Sequence, residues 1–375
     1  MNKSIKPISR LIFPIVSIIL ALSIYMTILT LPIPKEIGLA MRFGLVPVIL
    51  YVIFFLYQAF RLPGQIGRFT SFSLTLVLFA LPLSGVWNSG ISNNQLVGGL
   101  LPLSDTQSYY YDAQRLLEGQ TFDSISSRRP LANGALATIL GVTHHNLQIT
   151  LAILVLITAL SCFLLIREIQ YSHGTIAGLV VLTILFLFYR YFIGTTMTEN
   201  IGLSLGAVGF AIMWRGSGRK SINMILFGIF ILTLALHARS GAFLVLPALV
   251  VWGSRAFRGH SLFSWHFLVG SISMVFLGFV VNFIVLKVVN PDGISNSNFS
   301  YTLYGLADGG SGWKRVMRDH PEIEEIPGQL EKEQKIYQLA LEKIRLNPLG
   351  LVKGLWHGLS EYWEYSFFSL PNLTF

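Results

Sequence analysis

The sequence predicts an all-α integral membrane protein: a multi-pass bundle of transmembrane helices with two large extracytoplasmic segments that carry amphipathic helices. Three observations point there. Apolar residues make up 53% of the 375-residue chain and charged residues only 12%, about half the charge of an ordinary soluble domain. Apolar runs near membrane-spanning length recur along the chain. Between them, lysine and arginine gather in every second connection, as the positive-inside rule requires of cytoplasmic loops. A soluble domain and a disordered chain are both excluded. The net charge of +9 would hint at nucleic acid in a soluble protein, but here membrane orientation accounts for it, and no nucleic-acid partner is expected. Cys162, the one cysteine, lies inside an apolar run and offers neither a disulfide nor a thiolate metal cage.

The first apolar stretch, Leu11 to Leu31, follows Lys3, Lys6 and Arg10 and lacks a small-residue cleavage site, so it reads as a retained helix. Further spans are expected at Phe43 to Phe60, Phe69 to Trp87, Asn146 to Ile166, Thr175 to Phe192, Asn200 to Trp214, Ile222 to Leu236, Ala242 to Trp252 and Phe267 to Val289. Several fall short of the roughly 20 residues a bilayer needs, so charge decides their direction. With a cytoplasmic amino terminus, the cytoplasmic side receives Lys3, Lys6 and Arg10, then Arg61 and Arg68, then Arg167, then Arg215, Arg219 and Lys220, and lastly Arg255 and Arg258. The opposite orientation would translocate all of them. The runs between Lys220 and Arg255 form a hairpin with His237 and Arg239 near its outer tip, because a single helix would leave Arg239 at mid-bilayer. Residues 1–68 are then two N-terminal spans, 69–289 the main transmembrane module with a first outer loop at 88–145, and 290–348 a second outer segment. Residues 349–375 read as an interfacial helix or the start of another span.

In the first outer loop, Ser104-Asp105-Thr106-Gln107 has the form of a capping box, and the helix it opens should run to Gly119. Helical spacing puts Asp105, Tyr109 and Asp112 on one face, two carboxylates and a phenol beside the membrane. Asp105 lies in the first turn, where the helix dipole favours the ionised form that a base needs; the same pattern also reads as a plain cap. Arg128 and Arg129 precede an apolar dozen, Leu131 to Val142, too short to cross. Their planar forks suit a phosphate, and their translocated position speaks against ordinary headgroup anchoring. His144-His145 reads as a turn, since neighbouring side chains diverge and chelate poorly.

Beyond Tyr189-Arg190-Tyr191, the stretch Thr198-Glu199-Asn200 opens another helix on the outer side. Its own pattern is that of a cap, but Asp105, Glu199, Arg128, Arg129 and Arg239 all fall on one face of the membrane, which independent caps do not require. In the second outer segment, Tyr301 and Tyr304 either stack on a sugar or prenyl chain or serve as packing aromatics. Gln329 to Leu346 is an amphipathic helix with an apolar stripe at Leu330, Tyr337, Leu341 and Ile344, ended by Asn347-Pro348. From Leu349 on, Trp356, Tyr362, Trp363, Tyr365 and Phe367 form an aromatic belt. The chain stops at Phe375 without a polar tail, as a piece of a longer protein would.

This layout resembles the GT-C superfamily of polyprenyl-phosphate-sugar-dependent glycosyltransferases, which includes protein mannosyltransferases, aminoarabinose transferases and oligosaccharyltransferases. The likeness covers about Phe69 to Pro348. It rests on the loop acid in Leu103-Ser104-Asp105-Thr106, a short amphipathic helix, the Arg128 to Leu131 entry, and two helices leading to an outer Tyr-Arg-Tyr and Thr-Glu element. The resemblance implies a GT-C bundle in a prokaryotic plasma membrane, with Asp105 as catalytic base or metal-holding acid and Glu199 as the second-loop acid. Two extra spans precede the module, and no Asp-x-Asp occurs in the second loop, so the resemblance leaves a divalent metal open and implies no other cofactor. It further implies a polyprenyl-phosphate sugar donor and a glycan, lipid or protein acceptor. In the expected reaction Asp105 takes the acceptor's hydroxyl proton, while Arg128, Arg129 or Arg239 neutralises the departing phosphate, with Tyr109 and Asp112 alongside. One displacement means inversion. A transporter or flippase for a lipid-linked glycan is the rival from another class, and it calls for ionisable groups at mid-bilayer. A cell-surface glycan polymerase or ligase of different fold is the third reading.

Overall fold

Two prolines set the first turn of the chain. In the computed structural model, which describes residues 9–44, 46–239, 243, 245–295 and 299–363, helix α1 (Ser9–Thr30) stops before Leu31-Pro32-Ile33-Pro34, and α2 (Lys35–Phe43) leaves at 103° to it. Proline lacks the amide a helix interior needs and pushes its predecessor out of the helical region, so the bend is written into the sequence. Next come α3 (Val46–Arg61) and α4 (Gly64–Ser89). A segment follows with a two-stranded antiparallel hairpin, β1 (Leu96–Val97) and β2 (Leu101–Pro102), and then α5 (Asp105–Leu117), α6 (Ser124–Ser127) and α7 (Pro130–Val142).

Helix α8 (Leu147–Tyr189) is two helical limbs that meet at Gly174, which takes φ 85° and ψ 172°. Only glycine adopts that backbone without strain. The chain doubles back there: a Cβ on Gly178 would lie 3.1 Å from the Ile166 side chain, whereas twelve residues of straight helix would separate them by about 18 Å. The two limbs match the two spans expected between Asn146 and Phe192. Helices α9 (Glu199–Gly218), α10 (Ile222–Ala238), α11 (Val245–Ala256) and α12 (Trp265–Val289) complete the first unit, Met1–Pro291. Among the described residues α4, α8 and α12 are long and apolar enough to cross a membrane, and the bent α1–α2 pair makes a fourth candidate. Apolar side chains also face outward on α3 and α12, with Phe55 58% and Phe276 69% exposed, a surface suited to lipid and poorly suited to water.

The second unit, Asp292–Phe375, holds α13 (Phe299–Ala307), α14 (Arg315–Asp319), a 3₁₀ turn at Pro321–Glu325, α15 (Gln329–Leu346) and α16 (Pro348–Trp363). Its core is Tyr304, Val316, Ile323, Ile336 and Ala340. The amphipathic helix has the expected bounds but buries a different face. Leu330, Tyr337 and Leu341 are exposed, whereas Glu333, Ile336 and Ala340 are buried. The larger apolar residues set the expected stripe, but the face that meets the core of this unit is the one with Ile336 and Ala340. A polar network backs this core: Lys343 bonds Asp308, Arg315 pairs with Asp308 and Asp319, and the Tyr304 hydroxyl donates to Asp319 at 2.9 Å. Partial burial pushes the Asp308 carboxyl up, but Lys343, Ser311 and Arg315 outweigh it and hold it below the usual carboxylate range. Tyr365 and Phe367 of the expected aromatic belt lie outside the described residues.

Candidate functional site

The turn before α5 is unusual. Ser104 stands at φ 61° and ψ −133° and its side chain makes no capping hydrogen bond, so the expected capping box is not formed. Thr106 does the work instead. Its hydroxyl lies 2.6 Å from both the Gln95 and Leu103 carbonyls and accepts the Leu103 amide at 3.0 Å. This ties the helix start to the β1–β2 hairpin. The Thr106 carbonyl in turn accepts the Thr196 hydroxyl at 2.7 Å, which ties the same turn to the segment that leads into α9.

Helix α5 rests on α7 and on the start of α8 through Tyr109, Ala113, Leu136, Leu140, Leu147 and Leu151. That packing brings Tyr109 to Arg129 at the N-terminus of α7, and the guanidinium donates to the phenol oxygen at 2.7 Å. A second, longer contact joins Arg129 to the Thr198 hydroxyl at 3.4 Å. Thr198 precedes Glu199, whose side chain is only 4% exposed and pairs with the Arg239 Nε at 3.0 Å. Arg239 itself is 39% exposed at the end of α10. Asp105, Glu199 and Arg239 all act electrostatically on Tyr109 and Arg129. Burial pushes the Tyr109 phenol up, against the pull of Arg129, so it stays neutral and its proton remains available to a further acceptor. Burial likewise lowers Arg129, with Tyr109 opposing.

Asp105 differs from its neighbours. It is exposed and has no hydrogen bond or ion pair among the described residues. One open carboxylate thus stands in a cluster whose other acid is engaged. The cluster can accept a proton at Asp105 and offers guanidinium groups to an anion.

No protein-family model, curated protein or solved structure matches the chain. Of the residues expected at the site, Asp105, Tyr109, Arg129, Glu199 and Arg239 come together. Arg128 is adjacent in sequence, at the end of α6, with its buried Nε lacking a hydrogen-bond partner among the described residues. Asp112 does something else: it is 4% exposed, accepts the Asp123 amide at 3.2 Å and pairs with Arg115 at 3.3 Å, fixing the connection after α5. Its place one turn beyond Tyr109 takes it into the packed interior. Tyr301 and Tyr304 belong to the second unit; Tyr304 is fully buried there, and Tyr301 meets the Trp313 ring edge-on. His144 and His145 both take left-handed backbone in the turn between α7 and α8. Among the described residues no three of His, Cys, Asp and Glu form a group able to hold a metal ion.

Four residues outside the expected set support the site. Thr106, which the sequence pattern marks only as part of a cap, anchors the turn before α5. Gly202 lies one turn after Glu199, and a Cβ there would come within 2.5 Å of the Arg239 Cβ. It lets α9 and α10 approach until Glu199 and Arg239 meet. The signal was present, since Gly202, Gly209 and Gly216 recur at seven-residue spacing, the period of a helix–helix seam. Arg42 in α2 is 1% exposed and holds the Tyr191 and Ile193 carbonyls, while Arg190 is 9% exposed and donates to the Tyr191 hydroxyl at 2.9 Å. Together they fix the segment before Glu199.

Proposed function

We propose that the chain is a membrane glycosyltransferase that moves a sugar from a polyprenyl-phosphate donor to an acceptor hydroxyl on the extracytoplasmic face, with inversion. One observation carries this reading. Asp105 is exposed and unpaired among the described residues, while the buried acid of the same cluster, Glu199, is already neutralised by Arg239. A general base must be free to receive a proton, and a leaving phosphate needs cations it does not have to share with that base. The Asp105 carboxylate takes the hydroxyl proton as the acceptor oxygen bonds to the anomeric carbon. The bond from that carbon to the phosphate oxygen breaks, and the electron pair leaves with the phosphate toward Arg129 and Arg239.

Glu199 acts on this reading through Arg239, holding the guanidinium at one position. Arg239 also bears on the choice between transferase and transporter: it caps the end of α10 instead of standing within a helix, which supports an interfacial site over a mid-bilayer pathway. The test is transfer from a panel of radiolabelled polyprenyl-phosphate hexoses and pentoses by the purified protein in lipid. Asp105→Asn should lose about 100-fold or more in rate with an unchanged melting curve, the usual weight of a general base. A wild-type rate in that folded variant removes the assignment.

A further inference from the structure

At the far end of the first unit's bundle, where α8 turns at Gly174 and α9 ends, two cavities adjoin. They measure about 520 Å³ and 430 Å³ and share Ser172, Trp214 and Gly218. Each falls within the size range of small-molecule sites. The larger is walled by Phe210, Met213, Trp214, Leu249 and Trp252. The smaller is polar, with Glu168, Tyr171, Arg215 and Arg219. Along α9 the character changes in order, from Arg219 and Arg215 at the helix end to Phe210 about 13 Å deeper at 1.5 Å per residue. This is the profile of an amphiphile lying parallel to the helix, head at the rim and tail inward.

The charges fit an anionic head. Arg215 faces Glu168 at 3.8 Å, outside hydrogen-bond reach, and Arg219 has no partner among the described residues. Arg167 stands 4.8 Å from the centre of the Tyr171 ring. Arg167 is itself bonded to Gln170 and Tyr171, so the lining of the smaller cavity holds two arginines, Arg215 and Arg219, against one carboxylate, Glu168. The wall common to both cavities is held in place, because the Trp214 indole donates to Ser172 Oγ at 2.6 Å and the His173 ring meets it edge-on at 5.3 Å. A bilayer lipid on a merely apolar flank would find neither the concavity nor the excess positive charge.

We propose that this double cavity holds one anionic phospholipid of the bilayer, its phosphate between Arg215 and Arg219 and an acyl chain along Trp214 and Trp252. The site is independent of the transfer chemistry at Asp105. The test uses the full chain in nanodiscs of phosphatidylcholine doped with brominated phosphatidylglycerol or, separately, brominated phosphatidylcholine, and reads the quenched fluorescence that Trp214→Phe removes. Brominated phosphatidylglycerol should quench Trp214 at least fivefold more effectively per lipid, taking roughly fivefold per arginine near the surface. The Arg215→Gln/Arg219→Gln variant should bring the two lipids to parity. Native mass spectrometry of the unaltered protein gives a second reading, with one phosphatidylglycerol retained after phosphatidylcholine has dissociated. Equal quenching of Trp214 by both lipids, a preference that survives the double substitution, or no retained phosphatidylglycerol overturns the proposal.

Discussion

Removing Arg239 should destabilise the protein more than removing the charge of Glu199, although the two form one ion pair. The reason is their unequal burial: the Glu199 side chain is 4% exposed and Arg239 39%. In Arg239→Leu the carboxylate stays buried with the Thr198 hydroxyl at 3.5 Å as its remaining direct contact among the described residues and Arg129 acting on it from farther off. Stranding a buried charge costs about 3–5 kcal/mol. Glu199 sits in the first turn of α9, where the helix dipole returns up to about 1 kcal/mol. The net loss should be about 2–4 kcal/mol. In Glu199→Gln the guanidinium can turn to solvent, and the loss should be nearer 1 kcal/mol, as for other half-exposed pairs. The double variant should lie close to Glu199→Gln alone, because removing the acid removes the reason for the larger penalty. Urea unfolding in detergent, followed by tryptophan fluorescence, would measure all three. Equal losses, or a larger loss for Glu199→Gln, would refute the claim that Glu199 is the desolvated partner.

Two glycines of α9 should respond in opposite ways to the same change. Gly202→Ala would place a Cβ 2.5 Å from the Arg239 Cβ, and overpacking of this kind costs about 1–3 kcal/mol, whereas Gly206→Ala meets nothing nearer than Ala235 at 3.9 Å and should be neutral or stabilising by up to about 1 kcal/mol from helix propensity; unfolding midpoints of the pair decide it. The second unit should loosen in acid. Asp308 and Asp319 are held below the usual carboxylate range, Asp308 as described and Asp319 because Tyr304, Arg315 and Lys343 outweigh its partial burial. A lowered folded-state value means stabilisation that is present above the ordinary carboxylate value of about pH 4 and lost as pH falls through the lowered values, so the amide-exchange protection factors of residues 299–307, corrected for the intrinsic pH dependence of exchange, should fall below pH 4 and stay flat from 5 to 8.

The helices were the most legible part of the sequence. Apolar runs and prolines carry local signals, and α1, α4, α10, α12 and α15 stand where those signals put them. Even the reversal within α8 was readable, because Arg167 and Gly174 interrupt an otherwise continuous apolar stretch. The face of α15 was not, since side-chain size predicts which residues can be buried but not which neighbours are present to bury them. Within the site, the same-side argument grouped Asp105, Glu199, Arg128, Arg129 and Arg239, and the structure brings Asp105, Arg129, Glu199 and Arg239 near one another. It could not separate Asp105 from Asp112, which share a helix face but differ in what lies over them. Thr106 and Gly202 escaped notice because their roles are contacts with Thr196 and Arg239, each tens of residues away.

On the proposed reading Asp105 receives a proton, and a hydrogen bond or ion pair to its carboxylate would lower its proton affinity. Among the described residues it has neither, and its position is fixed through the backbone. Ser104 adopts a conformation that costs about 1–3 kcal/mol for a residue with a Cβ, and the strain lies one residue before Asp105. The Thr106 hydroxyl and carbonyl, bonded to Gln95 or Leu103 and to Thr196, return a comparable amount at about 1 kcal/mol per bond. The turn is thus held from the residues on either side of Asp105, and the Asp105 side chain is left out of the fastening.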